Sequence, residues 1–304
     1  MVAIHKKLLR RINFIKRFQE ITKAIRFITG GELAKVRKDL TKRFSVLITF
    51  LPLFGIKYLE LPLSDKVNIS SDNFDEIYLS EKNLIIPICD DRSSCGSHNT
   101  NVMYRTATLI DDIKMQDKQV KIYPIGLQGK YYFDDFYGRY IIGSTTGLGE
   151  VKFNLDICFF YANKFMNYDF DKYYLVFNRF FSLQQQYTTV YCLCSYKQFF
   201  KNLLKNSFLK NSMFYDAILD KAVYSNFLED LYAFGFSIFL QDAFSENKYS
   251  FLGSRFTAMD AMISNSQEYL ERLIVRYNKS RQESITTEIV EIVACADVVM
   301  ESKR

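Results

Sequence analysis

The sequence predicts a mixed α/β chain in which two long terminal helices pack antiparallel, with a sheet domain between them in sequence. Three observations carry that expectation. All four prolines (Pro52, Pro62, Pro87, Pro124) fall between 52 and 124. Proline removes a backbone donor and clashes with the preceding turn, so 1–51 and 125–304 are open to long helices. Both ends carry apolar residues in three-four steps. Between them, short β-branched and aromatic runs alternate with helical stretches, as in an α/β sheet domain. The chain of 304 residues divides into 1–60, 61–215 and 216–304.

At the first helix, Leu8, Ile12, Ile15, Phe18, Thr22, Ile25, Thr29, Leu33, Val36 and Leu40 follow a three-four spacing. The stripe is about one residue wide, as a two-helix coiled coil presents. Thr22 and Thr29 dilute it, and Gly30-Gly31 cost helix stability at roughly 1 kcal/mol each. The last helix repeats the pattern through Leu252, Phe256, Met259, Ile263, Ser266, Leu270, Leu273 and Tyr277, then Ile285, Ile289, Ile292, Ala296 and Val299. Its helical reading extends back to about Ala222, with Gly235 and Gly253 as weak points. From Phe251 onward alone it measures on the order of 75 Å at about 1.5 Å per residue. A helix of that length needs another long helix, or other proteins, around it.

In the middle, Leu84–Ile88, Val120–Ile125, Tyr173–Asn178 and Thr188–Cys194 read as strands. Helices are expected around 99–115 and 151–166. Residues 62–83 read as a polar connector. Gly126-Leu-Gln-Gly129-Lys130 lacks the spacing and hydroxyl of a phosphate loop, since Tyr131 follows, and reads as a turn between strands. The glycine-rich 143–149 reads as a loop. Cys192 and Cys194 should share one face of a strand as packed thiols. With only His5 and His98 as histidines, no four-ligand metal site is expected. Asp90 to Ser97, with Cys95 and nearby His98, reads as a structural or partner-binding loop in preference to a nucleophile site. No general acid/base set assembles, and no cofactor is expected.

Charge is uneven. Residues 1–43 hold thirteen Lys/Arg against three Asp/Glu, a local balance of +10 in a chain of net +6, so the remainder carries −4. Such an end suits acidic protein loops, nucleic acid or an anionic membrane surface. Six scattered cysteines fit a reducing compartment better than a disulfide scaffold. No apolar run reaches the length of a membrane span.

Five segments together resemble one family, the gamma subunits of F-type ATP synthases. Gln19-Glu20-Ile21-Thr22-Lys23-Ala24 resembles the family's QKITKAM stretch. Asp91-Arg92, Cys95-Gly96 and Asn99 resemble its SDRGLCGG-x-N loop, although Ser93-Ser94 replace GL and Ser97 replaces a glycine. Phe177-Asn178-Arg179-Phe180 resembles its FNRF strand. Ser254 to Asp260 resembles ARMTAMD, and Tyr277 to Val293 resembles YNRTRQ-x-x-IT-x-E-x-x-EI. The motifs occur in family order; 125–215 matches weakly apart from Phe177–Phe180, and Thr29-Gly30-Gly31-Glu32 replace small helix residues.

The resemblance implies an antiparallel coiled coil of the terminal helices plus a central Rossmann-like α/β domain. It implies a non-catalytic central-stalk rotor that transmits torque from the membrane c-ring to a ring of alpha and beta subunits, with small delta and epsilon subunits at the foot. It carries Arg281 and Gln282, with Thr286 nearby, over as contacts to an acidic loop of a beta subunit. Lys23 and Ile25 match a sensitive N-terminal turn, and Arg92 a loop arginine facing a beta subunit. Val290, Val293, Ala294, Val298 and Val299 would sit in an apolar sleeve. The TAMD form resembles mitochondrial members, which places the chain on the matrix side of the mitochondrial inner membrane. Two other expectations compete. One is a basic coiled-coil protein that binds nucleic acid or an anionic membrane through 6–43. The other is an α/β enzyme using Cys95.

Overall fold

The computed structural model describes residues 2–51, 53–54, 81–148, 154–183, 185–205 and 221–301. Side chains of 2–4, 37–46, 48, 204–205, 221–226 and 297–301 lie outside that description, and so does the expected connector as far as residue 80. In chain order the elements are α1 (Val2–Phe50), β1 (Lys82–Pro87), α2 (His98–Lys114), β2 (Gln119–Ile122), α3 (Leu127–Tyr137), α4 (Leu155–Met166), β3 (Lys172–Phe180), β4 (Gln186–Cys194), α5 (Tyr196–Lys205) and α6 (Lys221–Glu301). They form two compact units. One is Gly31–Arg255; the other joins Met1–Gly30 with Phe256–Arg304.

The larger unit is built on a four-stranded sheet in the order β2-β1-β3-β4. β1 pairs parallel with β2 and β3, and β4 returns antiparallel to β3. Alternation along each strand feeds two cores, because successive side chains point to opposite faces. Leu84, Ile86, Leu175, Phe177, Tyr191 and Leu193 enter one core with Leu47 and Phe50 at the end of α1, Phe54 just after it, and Tyr232, Phe236 and Phe239 of α6. Ile85, Tyr174 and Val176 enter the other, beneath Val102, Ile110 and Ile113 of α2 and Phe133 of α3. Each such side chain contributes about 1.5–3 kcal/mol by leaving water.

Two helices differ from the sequence reading. The segment read as a turn at 126–130 opens α3. The amphipathic decapeptide Tyr196–Lys205 forms α5, burying Phe199 and Leu203 one turn apart. The two strand cysteines also part company. Cys192 packs against the α2 side and Cys194 joins the other core, because Cys194 is the last residue of β4, where the pleat gives way to α5. The glycines of α6 are close-approach points. A Cβ at Gly235 would lie 2.7 Å from the rings of Phe50 and Phe54, and one at Gly253 would lie 2.5 Å from Phe180.

In the smaller unit, α1 and α6 run antiparallel. As the α1 number rises from His5 through Leu8, Ile12, Gln19 and Arg26 to Gly30, the partner on α6 falls from Tyr277 through Leu273, Leu270, Gln267 and Asp260 to Phe256. The apolar part is small: Leu8, Ile12, Leu270 and Leu273, flanked by Ile15 and Tyr277. Further along, the buried positions are Met259 and the polar Gln19, Thr22, Thr29 and Ser266. The stripe passes through Gln19, leaving Phe18 exposed, contrary to the sequence reading. Thr22 and Thr29 donate to the carbonyls of Phe18 and Ile25 at 2.8 Å, and Ser266 to Ile263 at 2.9 Å. Each hydroxyl is thus satisfied within its own helix.

One buried ionic cluster joins α6 to the sheet. Arg179 of β3 lies 3.4 Å from the Asp242 carboxylate, and the Tyr191 hydroxyl donates to that carboxylate at 2.6 Å. Glu246, one turn along α6, accepts from the Phe180 N–H at 3.4 Å. Two carboxylates therefore share one guanidinium. Burial pushes Glu246 up to about 7, partly countered by Arg179 and reinforced by Asp242. A carboxyl raised in the fold stabilises fully below its unfolded value and loses that contribution as pH rises through its folded one. The chain should lose on the order of 2 kcal/mol from this site between pH 5 and pH 8. Glu246→Gln should flatten that dependence and raise the melting midpoint at pH 8. Thermal melts of both chains across this range check it, and parallel pH profiles would contradict it.

Candidate functional site

The smaller unit presents most of the expected contact residues. Arg281, Gln282 and Thr286 are exposed on α6. The Thr286 hydroxyl donates to the Gln282 carbonyl at 2.9 Å, so these two residues stand one turn apart on one face. A shallow groove there is lined by Lys279, Gln282, Glu283, Thr286, Thr287, Val290 and Glu291. Lys23 is exposed on α1, whereas Ile25 is half-buried. The antiparallel pairing sets Lys23 and Ile25 at the level of about residue 261. That is roughly 30 Å along the helix from Arg281, at about 1.5 Å per residue. The two sets form separate bands. Val293 is exposed, and the side chain of Val298 lies outside the described residues.

The decisive geometry is the seam beyond Tyr277. Sequence periodicity predicts Ile285, Ile289 and Ile292 to be buried against α1. In the structure Ser284 is buried, and Ser280 and Thr287 are half-buried. Constant three-four steps from Leu273 lead through Tyr277, Ser280, Ser284 and Thr287. The isoleucines follow one or two positions later, about 100–200° round the helix. Ile285, Ile289, Val290, Ile292 and Val293 are 47–69 % exposed. The α1 partner exposes Leu9, Phe14, Phe18, Ile21, Phe27 and Ile28 among its basic residues. Exposed apolar side chains in this number on two helices mark a protein interface. The sequence reading missed these α1 residues, since choosing apolar positions hid the constant step.

Arg92 belongs to the larger unit and sits on a loop held from below. Asn99 at the start of α2 accepts from the Asp90 N–H at 2.9 Å and donates to the Arg92 carbonyl at 3.1 Å. The Asp91 carboxylate accepts from Leu127 N–H at 2.8 Å, at the positive end of α3, and from Gly147 N–H at 3.2 Å. The loop is fixed on both sides while Arg92 stays exposed.

Cys95 is buried, and burial pushes its thiol up to about 11. His98 instead meets Asn178 through Nδ1 at 3.0 Å. A nucleophilic cysteine needs a lowered pKa or a paired base, so the loop departs from that alternative. Among the described residues no three His, Cys, Asp or Glu side chains come close enough to hold a metal ion. No described helix is long and apolar enough to cross a membrane. The crevice at the carboxyl ends of β1 and β2 holds a cavity of about 20 Å³, lined by Asp90, Asp91, Gly126, Phe244, Asn247 and Lys248 among others. That is room for about one water.

The sheet, the helix pair and the motif loop can be set beside known proteins. One family profile, described as ATP synthase, matches residues 5–299. The chain belongs to the ATP synthase family. It is 28% identical over 297 residues to the ATP synthase gamma chain of Ehrlichia canis, covering 95% of this chain and 96% of that one. It is 26% identical over 300 residues to the mitochondrial ATP synthase subunit gamma of Arabidopsis thaliana, covering 96% and 85%. Its fold resembles a chain in a cryo-EM structure of the Euglena gracilis mitochondrial ATP synthase, comprising OSCP, F1 and c-ring. The TM-score there is 0.73 at 19% identity, covering 100% and 97%.

Under native conditions at pH 7.5, a maleimide should label exposed Cys295 and spare Cys95 by more than about tenfold, since only accessible thiolate reacts. Peptide mass spectrometry reads the ratio. Equal labelling would contradict the buried loop.

Proposed function

We propose that this chain is the non-catalytic axle of a mitochondrial ATP synthase, on the matrix side of the inner membrane. Its α/β part, 61–215, is the foot that rests on the membrane c-ring with the small delta and epsilon subunits. Its helices, 1–60 and 216–304, are the shaft inside a ring of alternating alpha and beta subunits. Turning an asymmetric shaft changes which face each catalytic subunit meets, and so shifts the populations of its nucleotide-binding states.

The observation that carries this reading is the exposed apolar stripe of α6 between Ile285 and Val293. It lies past Tyr277, which packs on His5, so no described α1 side chain covers it. An apolar helix face left uncovered within its own chain is available to a partner around it. Val293 and Val298 meet the apolar sleeve of that surrounding ring. Arg281, Gln282 and Thr286 contact an acidic loop of a beta subunit, for which Arg supplies bidentate geometry. Lys23 and Ile25 form a second contact band lower on the shaft, and Arg92 a third from the foot.

Replacing Arg281 with Ala removes a charge-assisted contact of about 1.5–3 kcal/mol. Coupled ATP synthesis by the assembled complex should fall about tenfold at unchanged subunit stoichiometry. Full synthesis rates in assembled Arg281→Ala complexes would remove the contact from the proposal. Direct, salt-sensitive binding of the purified chain to DNA or anionic vesicles would instead favour the basic-surface alternative.

A further inference from the structure

Most of the contact between α6 and the sheet is apolar. Phe236, Phe239, Ala243 and Phe244 share a core with Leu175, Phe177 and Tyr191. Apolar contact is non-directional, so it holds the helix down without choosing a register. A slip of one residue moves a helix about 1.5 Å along its axis and turns it about 100°. A rotor has to resist that displacement.

Besides the Arg179–Asp242 cluster and the Tyr232 hydroxyl, which donates to the Cys194 carbonyl at 2.7 Å, one further patch of the same join is polar. Asn247, Ser250 and Ser254 lie at i, i+3 and i+7 of α6, on one face. Asn247 accepts from the Asn178 backbone N–H at 3.0 Å. That donor needs a partner because β1 pairs with β3 only as far as Val176. The Asn178 amide donates to the His98 carbonyl at 2.7 Å and reaches His98 Nδ1 at 3.0 Å, while its carbonyl accepts from Thr188 at 2.7 Å. Ser250 and Ser254 both donate to Gln186 Oε1, at 2.7 and 2.5 Å. Ser250 also lies 3.5 Å from His98 Nδ1. Burial lowers His98 to about 3, so its imidazole is neutral and Nδ1 can accept. Gly253 lets the Phe180 ring close over the patch. His98, Asn178, Asn247 and Ser250 are buried. Four elements (α2, β3, β4 and α6) are tied together at one point by bonds that demand specific distances and angles.

We propose that Asn178, Gln186 and Asn247 are positioning residues for torque transfer: with Ser250 and Ser254 they lock α6 to the sheet in a single register. This rests on the rotor role. The lock adds resistance to sliding and rolling where the apolar part of the join adds only adhesion. Its loss costs torque under load before it costs assembly.

The test uses the assembled complex in its membrane, comparing Asn247→Ala and the double variant Ser250→Ala with Ser254→Ala against the parent chain. Asn247→Asp, which keeps an acceptor for the Asn178 N–H, serves as rescue. Leu175→Ala serves as a core-destabilised control. ATP hydrolysis and ATP-driven proton uptake are measured together, with and without an opposing proton gradient. In the two network variants, protons moved per ATP should fall at least twofold against the gradient while hydrolysis persists. Asn247→Asp should restore most of the ratio, and Leu175→Ala should lower the melting midpoint without changing it. An unchanged ratio in the network variants, or an equal fall in Leu175→Ala, would overturn the proposal. Should a network variant fail to assemble, Ser254→Ala alone, which deletes one hydroxyl, is held to the same criterion. Failure of the parent chain to co-purify with alpha and beta subunits would instead strike the rotor reading itself.

Discussion

A helix buries only the surface its partner reaches, and α6 carries apolar surface that no described α1 side chain reaches. Past Tyr277, which packs on His5, it leaves Ile285, Ile289 and Ile292 exposed. In water such a surface invites association. The remaining features of the smaller unit follow from this constraint. The internal seam stays narrow so that the outer stripe can stay broad. Basic residues of α1 alternate with exposed Phe14, Phe18 and Phe27, which supports solubility before assembly and offers apolar area afterwards.

The two joins of α6 use different physics. Against α1 in the smaller unit, hydroxyls bond within their own helices, and Gln19 reaches across to Gln267 at 3.2 Å in a neutral hydrogen bond. Arg26 adds an ion pair to Asp260 and lies 4.7 Å from the Phe256 ring centre. Exposed pairs of that sort contribute little, about 0–1 kcal/mol. In the larger unit, α6 meets the sheet through full-sized aromatic packing, the Arg179–Asp242 pair and the Asn178–Asn247 network. Breaking a buried pair leaves an uncompensated charge and costs several kcal/mol. Directional bonds are concentrated where the helix must be gripped, and apolar or self-satisfied groups where it must be wrapped.

Much of this architecture is legible in the residues themselves. The placement of four prolines predicts two long helices. Alternating runs at 84–88 and 173–178 predict strands, and the motif Tyr277–Val293 points to the family. What sequence reasoning misses has identifiable causes. Tracing the seam through apolar residues makes it jump from Tyr277 to Ile285 and admits Phe18 in place of Gln19. A strict step count finds Ser280, Ser284 and Thr287, the less exposed positions, but their polarity argues against them. α3 is hidden by its opening glycines. The polar network is not legible as a unit in the sequence. Asn178 stands in the Phe177–Phe180 motif, but nothing in the sequence links it to His98, Gln186 or Asn247, which only the fold brings to it.

The sheet itself explains why the grip sits where it does. In an open α/β sheet the crevice outside the carboxyl ends of the strands, at the point where strand order reverses, is the usual ligand site. Here β1 is that point, with β2 on one side and β3 on the other. The crevice is filled from within. The Asp91 carboxylate occupies the positive end of α3, where a phosphate could otherwise bind, and Phe244, Asn247 and Lys248 of α6 close the rest. About 20 Å³ remains, far below the few hundred that a small-molecule site occupies. The place where this architecture elsewhere receives a small molecule receives a helix instead. Such a crevice already offers unpaired strand ends, a helix dipole and a concave wall. Those features make it suited to holding α6 by directional bonds, because the strand-end N–H of Asn178 and the neighbouring amide groups need partners there in any case.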